Sequence, residues 1–260
     1  MRDDIGGLHP AKFFAGLLQA ARAAGATVHG ETAVLGFCRQ AHGFAVETAR
    51  GPVEADHLIV ATNGYTDGVD PWLRRRLVPV RSRIIATAPL SNNLMAALMP
   101  KGVMCADTRK LHFYYRPSPD GTRILFGGRD GSIAGDPTWP TRQLKRALAD
   151  VFPVLAGVAI THSWWGHVGM NRDMIPRIFS RDGLRYAVGY CGSGVVWARW
   201  AGQKAAWQIL GDARARSALD FRPPPAIPLY NGTAWFLPAV YAWLGLSDRL
   251  GRPRGYRASS

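Results

Sequence analysis

The spacing of hydrophobic residues changes from helical to strand-like within the first eighty residues. Apolar side chains recur every three or four positions after His9-Pro10, where proline is tolerated in a first helical turn, and this pattern stops at Gly25. A helix is therefore predicted there. Four shorter apolar runs predict strands, at residues 26–29, 32–38, 43–49 and 57–61. Together they indicate part of an α/β layer.

The middle of the chain has the pattern of an antiparallel sheet with one covering helix. Four strand-like runs occur there, at residues 78–87, 111–116, 122–128 and 158–168. Residues 138–152 place Leu144 and Leu148 on one helical face and Arg142 and Lys145 on another, which is typical of an amphipathic helix. The sequence thus predicts a second structural unit.

The last third predicts strands, a glycine-rich turn and a long helix. Strands are expected at residues 177–179 and 184–190, and Gly192-Ser193-Gly194 then opens a helix that runs to about Leu210. The proline-rich stretch after residue 222 predicts an irregular, packed tail. Its clean apolar run, residues 235–246, is shorter than the roughly 20 residues that a membrane-spanning helix needs, so we expect no membrane span.

Length and composition are those of a folded protein of one large or two small domains. The 260 residues are 47% hydrophobic and 19% charged, which allows a core and excludes wholesale disorder. Cys38, Cys105 and Cys191 lie too far apart for a disulfide framework or a metal clip, and the first residues show no secretory signal. We therefore expect a cytoplasmic protein without a metal site.

The net charge of +14 raises the alternative of a nucleic-acid-binding module. The 32 basic residues include only five lysines and are scattered, apart from the run Arg74-Arg75-Arg76. A nucleic-acid binder is expected to show a basic stripe with interleaved aromatic residues, or a recognition helix. We therefore favour a solvated, arginine-rich surface and expect no nucleic-acid partner.

The turn Gly192-Ser193-Gly194 carries the clearest chemical signal. A helix that begins in glycines leaves N–H groups free at its positive end, which suits an anion, a phosphate or a heterocycle that becomes negative on reduction. A tight turn without a ligand is the alternative. Trp197 replaces the third glycine of a dinucleotide-binding fingerprint, and Cys191 replaces the first glycine of a nucleophile elbow, so neither motif is present.

Other candidate residues each have a simpler structural explanation. His162 and His167 have no partners at metal-ligand spacing, and Arg129, just after a predicted strand, can clamp a carboxylate. Aromatic residues that could stack on a flat ligand, or serve only as core, are Tyr114, Tyr115, Trp164 and Trp165.

In their order and spacing, these segments resemble the glycine/D-amino-acid oxidase-like (DAO) family of FAD-dependent oxidoreductases, in its γ-glutamylputrescine-oxidase-like branch. The matching stretches are Gly7-Leu8-His9-Pro10, Gly25-Ala26, Leu58 to Tyr65, Ile85-Ala86-Thr87, Ile124 to Arg129, Trp165-Gly166, Asp173 with Pro176, and Gly189 to Val195. The resemblance covers nearly the whole chain. It implies an α/β (α+β) fold in which residues 1–80 and 171–260 form an incomplete FAD-binding domain, interrupted by an antiparallel substrate domain at 81–170.

The same resemblance implies a site. The residues expected to contact FAD are Val34 beside the adenine, Ala61 and Thr62 near the pyrophosphate, and Gly192, Ser193, Gly194 and Val195 at the pyrimidine side of the flavin ring. Those expected to contact an amine or amino-acid substrate are Tyr114, Arg129, Trp165 and His167. The reaction implied is hydride transfer from the carbon next to nitrogen to flavin N5, followed by hydrolysis of the imine product.

The sequence also departs from the family pattern. The N-terminal β-α-β unit with its G-x-G-x-x-G cradle is missing, so we do not expect these residues alone to bind FAD tightly. A truncated gene product, or a split enzyme whose second chain supplies that unit, would account for this. Val168 stands where several family members have a carboxylate-binding arginine, which favours an amine substrate or a role for Arg129. Because no cysteine falls at a flavin-attachment position, non-covalent FAD is expected. A non-catalytic remnant that binds a ligand or partner without turnover is the main alternative.

Overall fold

The structure, a computed structural model, describes residues 6–129, 138–220 and 222–250. Its strands are β1 (Val34–Arg39), β2 (Phe44–Thr48), β3 (Gly51–Ala55), β4 (Ile59–Val60), β5 (Val78–Thr87), β6 (Cys105–Ala106), β7 (Tyr114–Pro117), β8 (Ile124–Arg129), β9 (Ile160–Met170), β10 (Arg177–Arg181) and β11 (Leu184–Val188). Its α-helices are α1 (Pro10–Ala23), α2 (Pro71–Arg74), α3 (Asn92–Leu98), α4 (Trp139–Val151), α5 (Gly194–Ile209) and α6 (Leu237–Leu250).

The chain forms two compact units. The five-stranded unit comprises Arg81–Gly166 with residues 6–7 and 235–250, and the two-sheet unit comprises Leu8–Val80 and His167–Ala234. Residues 235–250 thus group with the five-stranded unit, whereas the sequence analysis assigned all of 171–260 to the FAD-binding domain. The division into FAD-binding and substrate domains stays a prediction.

The five-stranded unit is an antiparallel sheet covered by a helix. Its strand order is β6-β7-β8-β5-β9, with β8 pairing antiparallel to both β5 and β7. Ile85 of β5 and Phe126 of β8 are register partners, and both are buried against Leu144 and Leu148 of α4. The predicted sheet and amphipathic helix are both confirmed.

The two-sheet unit has a layered α/β core. One sheet is the meander β1-β2-β3, and the other has the order β10-β11-β4, in which β11 runs antiparallel to β10 and parallel to β4. Because strand side chains alternate between faces, Tyr186 and Val188 of β11 pack with one cluster while Ala187 packs with another, against Ala201 and Ala205 of α5. Small residues on that helix allow it to lie close to the sheet. The mixed helix-and-sheet class predicted from the sequence is confirmed.

Some predicted elements were wrong. Residues 26–29 form no strand, because a strand exists only through a ladder partner and the described residues offer them none. No strand was predicted at residues 51–55, which form β3 directly after the turn at residues 49–50. The expected irregular, packed tail contains α6, whose Pro238 occupies a first-turn position that tolerates proline, and Trp243 on this helix is 68% exposed. Within the described ranges, no helix is long and apolar enough to cross a membrane.

Candidate functional site

Two predicted cofactor segments follow neighbouring parallel strands. β4 ends at Val60 and is followed by Ala61 and Thr62, whereas β11 ends at Val188 and is followed by the turn that begins at Gly189. The carboxyl ends of parallel strands meet at one edge of a sheet, and ligands of open α/β sheets bind outside that edge. The pairing of β4 with β11 therefore brings the 61–62 segment and the glycine turn to the same edge of the sheet.

The amino end of α5 is open. Ser193 is its N-cap residue, but the serine side chain accepts no capping hydrogen bond, and the first turn contains no acidic residue. A Cβ atom added to Gly194 would meet only Tyr190, at an ordinary contact distance of 3.6 Å. Val195, in the same turn, is exposed. Protein packing therefore does not require glycine at position 194, and the Ser193 side chain does not cap the positive end of the helix dipole.

Two asparagines that the sequence analysis did not select accept hydrogen bonds from residues of the glycine turn. Asn63 Oδ1 accepts a hydrogen bond from the Gly189 amide at 2.9 Å. Asn171, which is buried, donates from Nδ2 to the Ile175 carbonyl at 2.6 Å and accepts from Cys191 Sγ at 3.4 Å. Asn63 lies in the Leu58 to Tyr65 stretch that carried the family resemblance, but nothing in the sequence connected it with the glycine turn.

A cavity of about 310 Å³ brings three predicted residues together. Val34, Ala61 and Thr62 all line it, and other lining residues are Ala33, Phe37, Val46, Leu58, Ile59, Val60, Tyr65, Thr66, Asp67, Val69 and Asp70. Its volume is within the range of small-molecule sites. The walls are mainly apolar, and the Thr62 and Thr66 hydroxyls hydrogen-bond to each other at 2.7 Å. Its lining contains two carboxylates and no lysine or arginine.

Asp70 is a third residue that the sequence analysis missed. It is 7% exposed and caps α2, accepting a hydrogen bond from the Leu73 amide at 2.8 Å. Burial, together with the charge of Asp70, raises the pKa of the Tyr186 hydroxyl above its ordinary value. Tyr186 is therefore harder to ionise than an exposed tyrosine, and Asp70 lines one side of the cavity.

Two of the predicted substrate residues lie on adjacent strands of the five-stranded unit. The Tyr114 hydroxyl hydrogen-bonds to the Ser82 hydroxyl at 2.6 Å, and Ser82 is the register partner of Arg129. Arg129 also borders a separate cavity of about 340 Å³, whose lining includes Arg109 and Arg146. Asp150 also lines this cavity, so Arg129 has both cationic and anionic neighbours.

The other two predicted substrate residues have different neighbours. The Arg81 guanidinium lies over the Trp165 ring, with its carbon 4.9 Å from the ring centroid. His167 belongs to the two-sheet unit, where its backbone N–H donates to the Tyr65 hydroxyl at 3.3 Å and the two rings are 5.2 Å apart. Across the described parts of the chain there is no cluster of three or more metal-type ligands.

Comparison with known proteins identifies the class. The sequence model for "FAD dependent oxidoreductase" (DAO) matches residues 2–208. The chain therefore belongs to this family, which confirms the resemblance drawn from the sequence. Glycine oxidase from Geobacillus kaustophilus has a similar fold, with a TM-score of 0.64 at 18% identity over 82% of this chain and 56% of that one.

Two curated relatives are similar over almost all of this sequence. A protein named probable oxidoreductase OrdL from Rhizobium meliloti is 33% identical over 94% of this chain and 57% of its own length. The gamma-glutamylputrescine oxidoreductase of Escherichia coli is 34% identical over 96% of this chain and 59% of its own length. The chain thus spans just under three fifths of the relatives that it matches.

Proposed function

We propose that this chain carries the flavin-facing part of an FAD-dependent oxidoreductase that oxidises an amine or amino acid. The observation that supports this most directly is the open amino end of α5, at the same sheet edge as Ala61 and Thr62. FAD, when bound, accepts a hydride at N5 from the carbon next to the substrate nitrogen, and water then hydrolyses the imine product. In this proposal the residues of this chain bind the cofactor and the substrate and orient them relative to each other.

The amino end of α5 suits the pyrimidine side of a flavin. Free N–H groups at a helix start favour negative charge, which the flavin gains there on reduction. In this proposal Gly192, Gly194 and Val195 supply those groups, and Gly194 allows close approach because no side chain projects from it. Ser193 contributes its hydroxyl, because its amide already donates to the Tyr190 carbonyl. The residues therefore fit this part of the cofactor.

The 310 Å³ cavity suits the adenosine end better than the pyrophosphate. Its apolar walls, which include Val34, Phe37 and Leu58, fit an aromatic base. Two phosphates need cations or a glycine-rich cradle, whereas this lining offers Asp67 and Asp70. In this proposal FAD binds these residues weakly and non-covalently, and the phosphate contacts come from residues outside this chain, in a longer polypeptide or a second one.

An amine is the substrate class that we favour. The Escherichia coli relative is named for γ-glutamylputrescine, and its 34% identity supports a related amine for this chain. We retain Tyr114, Trp165 and His167 as candidate substrate contacts. If the substrate carries a carboxylate, Arg129 is the proposed clamp, because a guanidinium binds a carboxylate through two parallel hydrogen bonds.

A flavin-binding experiment tests the proposal. Titration of the purified chain with FAD, followed by flavin fluorescence, is expected to give weak, saturable binding. Gly194→Asp should abolish it, because the new side chain fills the space that glycine leaves for the ring and its carboxylate neutralises the positive end of α5. Circular dichroism is expected to show an unchanged helix content, since aspartate is favoured in the first turn of a helix.

Gly202→Asp is the matched control. Gly202 lies on the same helix, is exposed, and has no atom within 4 Å of an added Cβ. Its FAD affinity should equal that of the unaltered chain. Equal affinity in the Gly194 variant would show that the cofactor lies elsewhere, and absence of any FAD binding would favour the non-catalytic remnant.

A further inference from the structure

Three chain segments are in close contact where the glycine turn begins. They are the end of β4 with Asn63-Gly64, the end of β9 with Gly169, and Gly189 after β11. A Cβ on Gly64 would lie 2.8 Å from the His167 carbonyl oxygen, and one on Gly169 would lie 2.5 Å from Asn63 Oδ1. The segments are therefore packed so closely that they leave little room for side chains. Asn63 lies between them, and Asn171 Nδ2 would be 2.6 Å from a Cβ on Gly189.

Asn63 is built into this junction by its backbone as well as its side chain. Its φ is +45°, a conformation that asparagine tolerates better than most other non-glycine residues. Its carbonyl accepts from the Thr66 amide at 3.2 Å and from the Thr66 hydroxyl at 2.9 Å. These bonds fix the backbone on one side, so that the side chain is aimed at the Gly189 amide 126 residues later.

The bond from Gly189 to Asn63 acts directly on the turn. Gly189 has φ +78°, and Cys191, two residues on, is also left-handed at φ +52°. The Cys191 amide donates to the Gly169 carbonyl at 3.1 Å, and the Ser193 amide donates to the Tyr190 carbonyl at 2.9 Å. Each contact restrains the path that leads to the amino end of α5.

We infer that Asn63 is a positioning residue for the glycine turn. Its side chain holds Gly189 and so sets where the amides at the start of α5 lie relative to Ala61 and Thr62. This inference rests on the proposed function. Asn63 does not itself act on the substrate. It joins the end of β4 to the end of β11, the two segments that are proposed to hold opposite ends of the cofactor.

Three substitutions separate the role of the side chain from that of the backbone. Asn63→Gly keeps the positive φ available but removes the acceptor, whereas Asn63→Asp keeps an oxygen acceptor for the Gly189 amide. Asn63→Ala removes the acceptor and also disfavours the left-handed backbone. Asn231→Gly, the same exchange at an exposed position of the same unit, is the control.

Amide hydrogen exchange of residues 189–195, measured without FAD, gives the first readout. Loss of one hydrogen bond should raise exchange there roughly fivefold in the Gly variant. We expect more in the Ala variant, and near-normal rates for Asp and for the Asn231 control. FAD titration gives the second readout, with affinity lowered roughly fivefold by Asn63→Gly and unchanged by Asn231→Gly.

The outcomes are distinguishable. Unchanged exchange at 189–195 in the Gly variant would overturn the role of Asn63 whatever FAD does. Faster exchange with unchanged FAD affinity would reduce Asn63 to a purely structural residue and overturn the inference as well. Faster exchange in a chain that binds no FAD at all would instead overturn the proposed function and leave the tie between Asn63 and Gly189 standing.

Discussion

Buried tyrosine hydroxyls show how single residues couple this fold to pH. Tyr230 is fully buried, and its hydroxyl donates to the Leu77 carbonyl at 2.9 Å. Burial raises the pKa of Tyr230 to about 12, and the nearby charge of Arg74 opposes that rise only in part. Burial likewise raises the pKa of Tyr190 to about 12. The folded state therefore retains protons that the unfolded chain releases near its ordinary tyrosine pKa of about 10.

We expect the free energy of unfolding to fall as the pH rises above about 10. Because the pKa is raised in the folded state, the stabilisation is complete below pH 10 and is lost towards pH 12. By pH 11 the earlier ionisation of Tyr230 in the unfolded chain has removed about 1.4 kcal/mol of stability. Tyr230→Phe should therefore lose about that much less stability between pH 8 and pH 11, as measured by urea denaturation. Equal losses in the two proteins would contradict this account.

At the scale of elements, two helices with similar sequence patterns have different environments. Residues with helical apolar spacing form both α1 and α4, as predicted. No residue of α1 is buried, and Phe14 is 66% exposed, whereas Leu148 of α4 is fully buried in the core of the five-stranded unit. Hydrophobic periodicity therefore identified both helices but did not show which of their apolar faces is buried against other parts of the protein.

Replacing an exposed apolar residue of α1 and a buried one of α4 should lower the free energy of unfolding by very different amounts. Phe14→Ser on α1 is expected to change the free energy of unfolding by less than about 0.5 kcal/mol, because exposed sites away from caps and cores contribute little. Leu148→Ala on α4 should cost about 2–5 kcal/mol, since it leaves a cavity in a packed core. Chemical denaturation measures both. A large loss for Phe14→Ser would mean that the α1 face is covered in solution.

At the scale of the whole molecule, many cationic side chains are placed over aromatic rings. Trp72 lies between two guanidiniums, with Arg76 at 3.8 Å and Arg181 at 4.3 Å from its ring centroid. Arg214 lies 4.7 Å from the ring of Trp207. These arginines stabilise the fold through cation–π contacts with the rings that they cover.

The net charge of +14 should nevertheless give weak, non-specific binding to DNA at low salt. We expect that affinity to fall by roughly three orders of magnitude, or to vanish, between about 50 and 200 mM salt. Fluorescence anisotropy with two unrelated duplexes measures it, and the two should behave alike. Affinity that persists at high salt, or that differs between the duplexes, would favour the nucleic-acid alternative.

Local pattern was enough for much of the fold. The predicted bounds of β5, residues 78–87, and of α4, residues 138–152, agree with the structure within one residue, because each depends on periodicity and end signals inside its own segment. The strand expected at residues 26–29 failed because its existence depends on a partner elsewhere in the chain. The helix α6 was missed because Pro238 and its neighbours suggested irregular structure, although proline is compatible with a first turn.

The candidate site was less accessible to local reasoning. The sequence by itself determined the family and a glycine turn at the start of a helix, since both depend on residues close together in the chain. Only the tertiary structure decided that β4 lies parallel to β11, that Val34 shares a cavity with Ala61, and that Asn63 holds Gly189. The physical reason is distance along the chain: a hydrogen bond across 126 residues leaves no periodicity in the sequence, and it exists only when packing brings its two partners together.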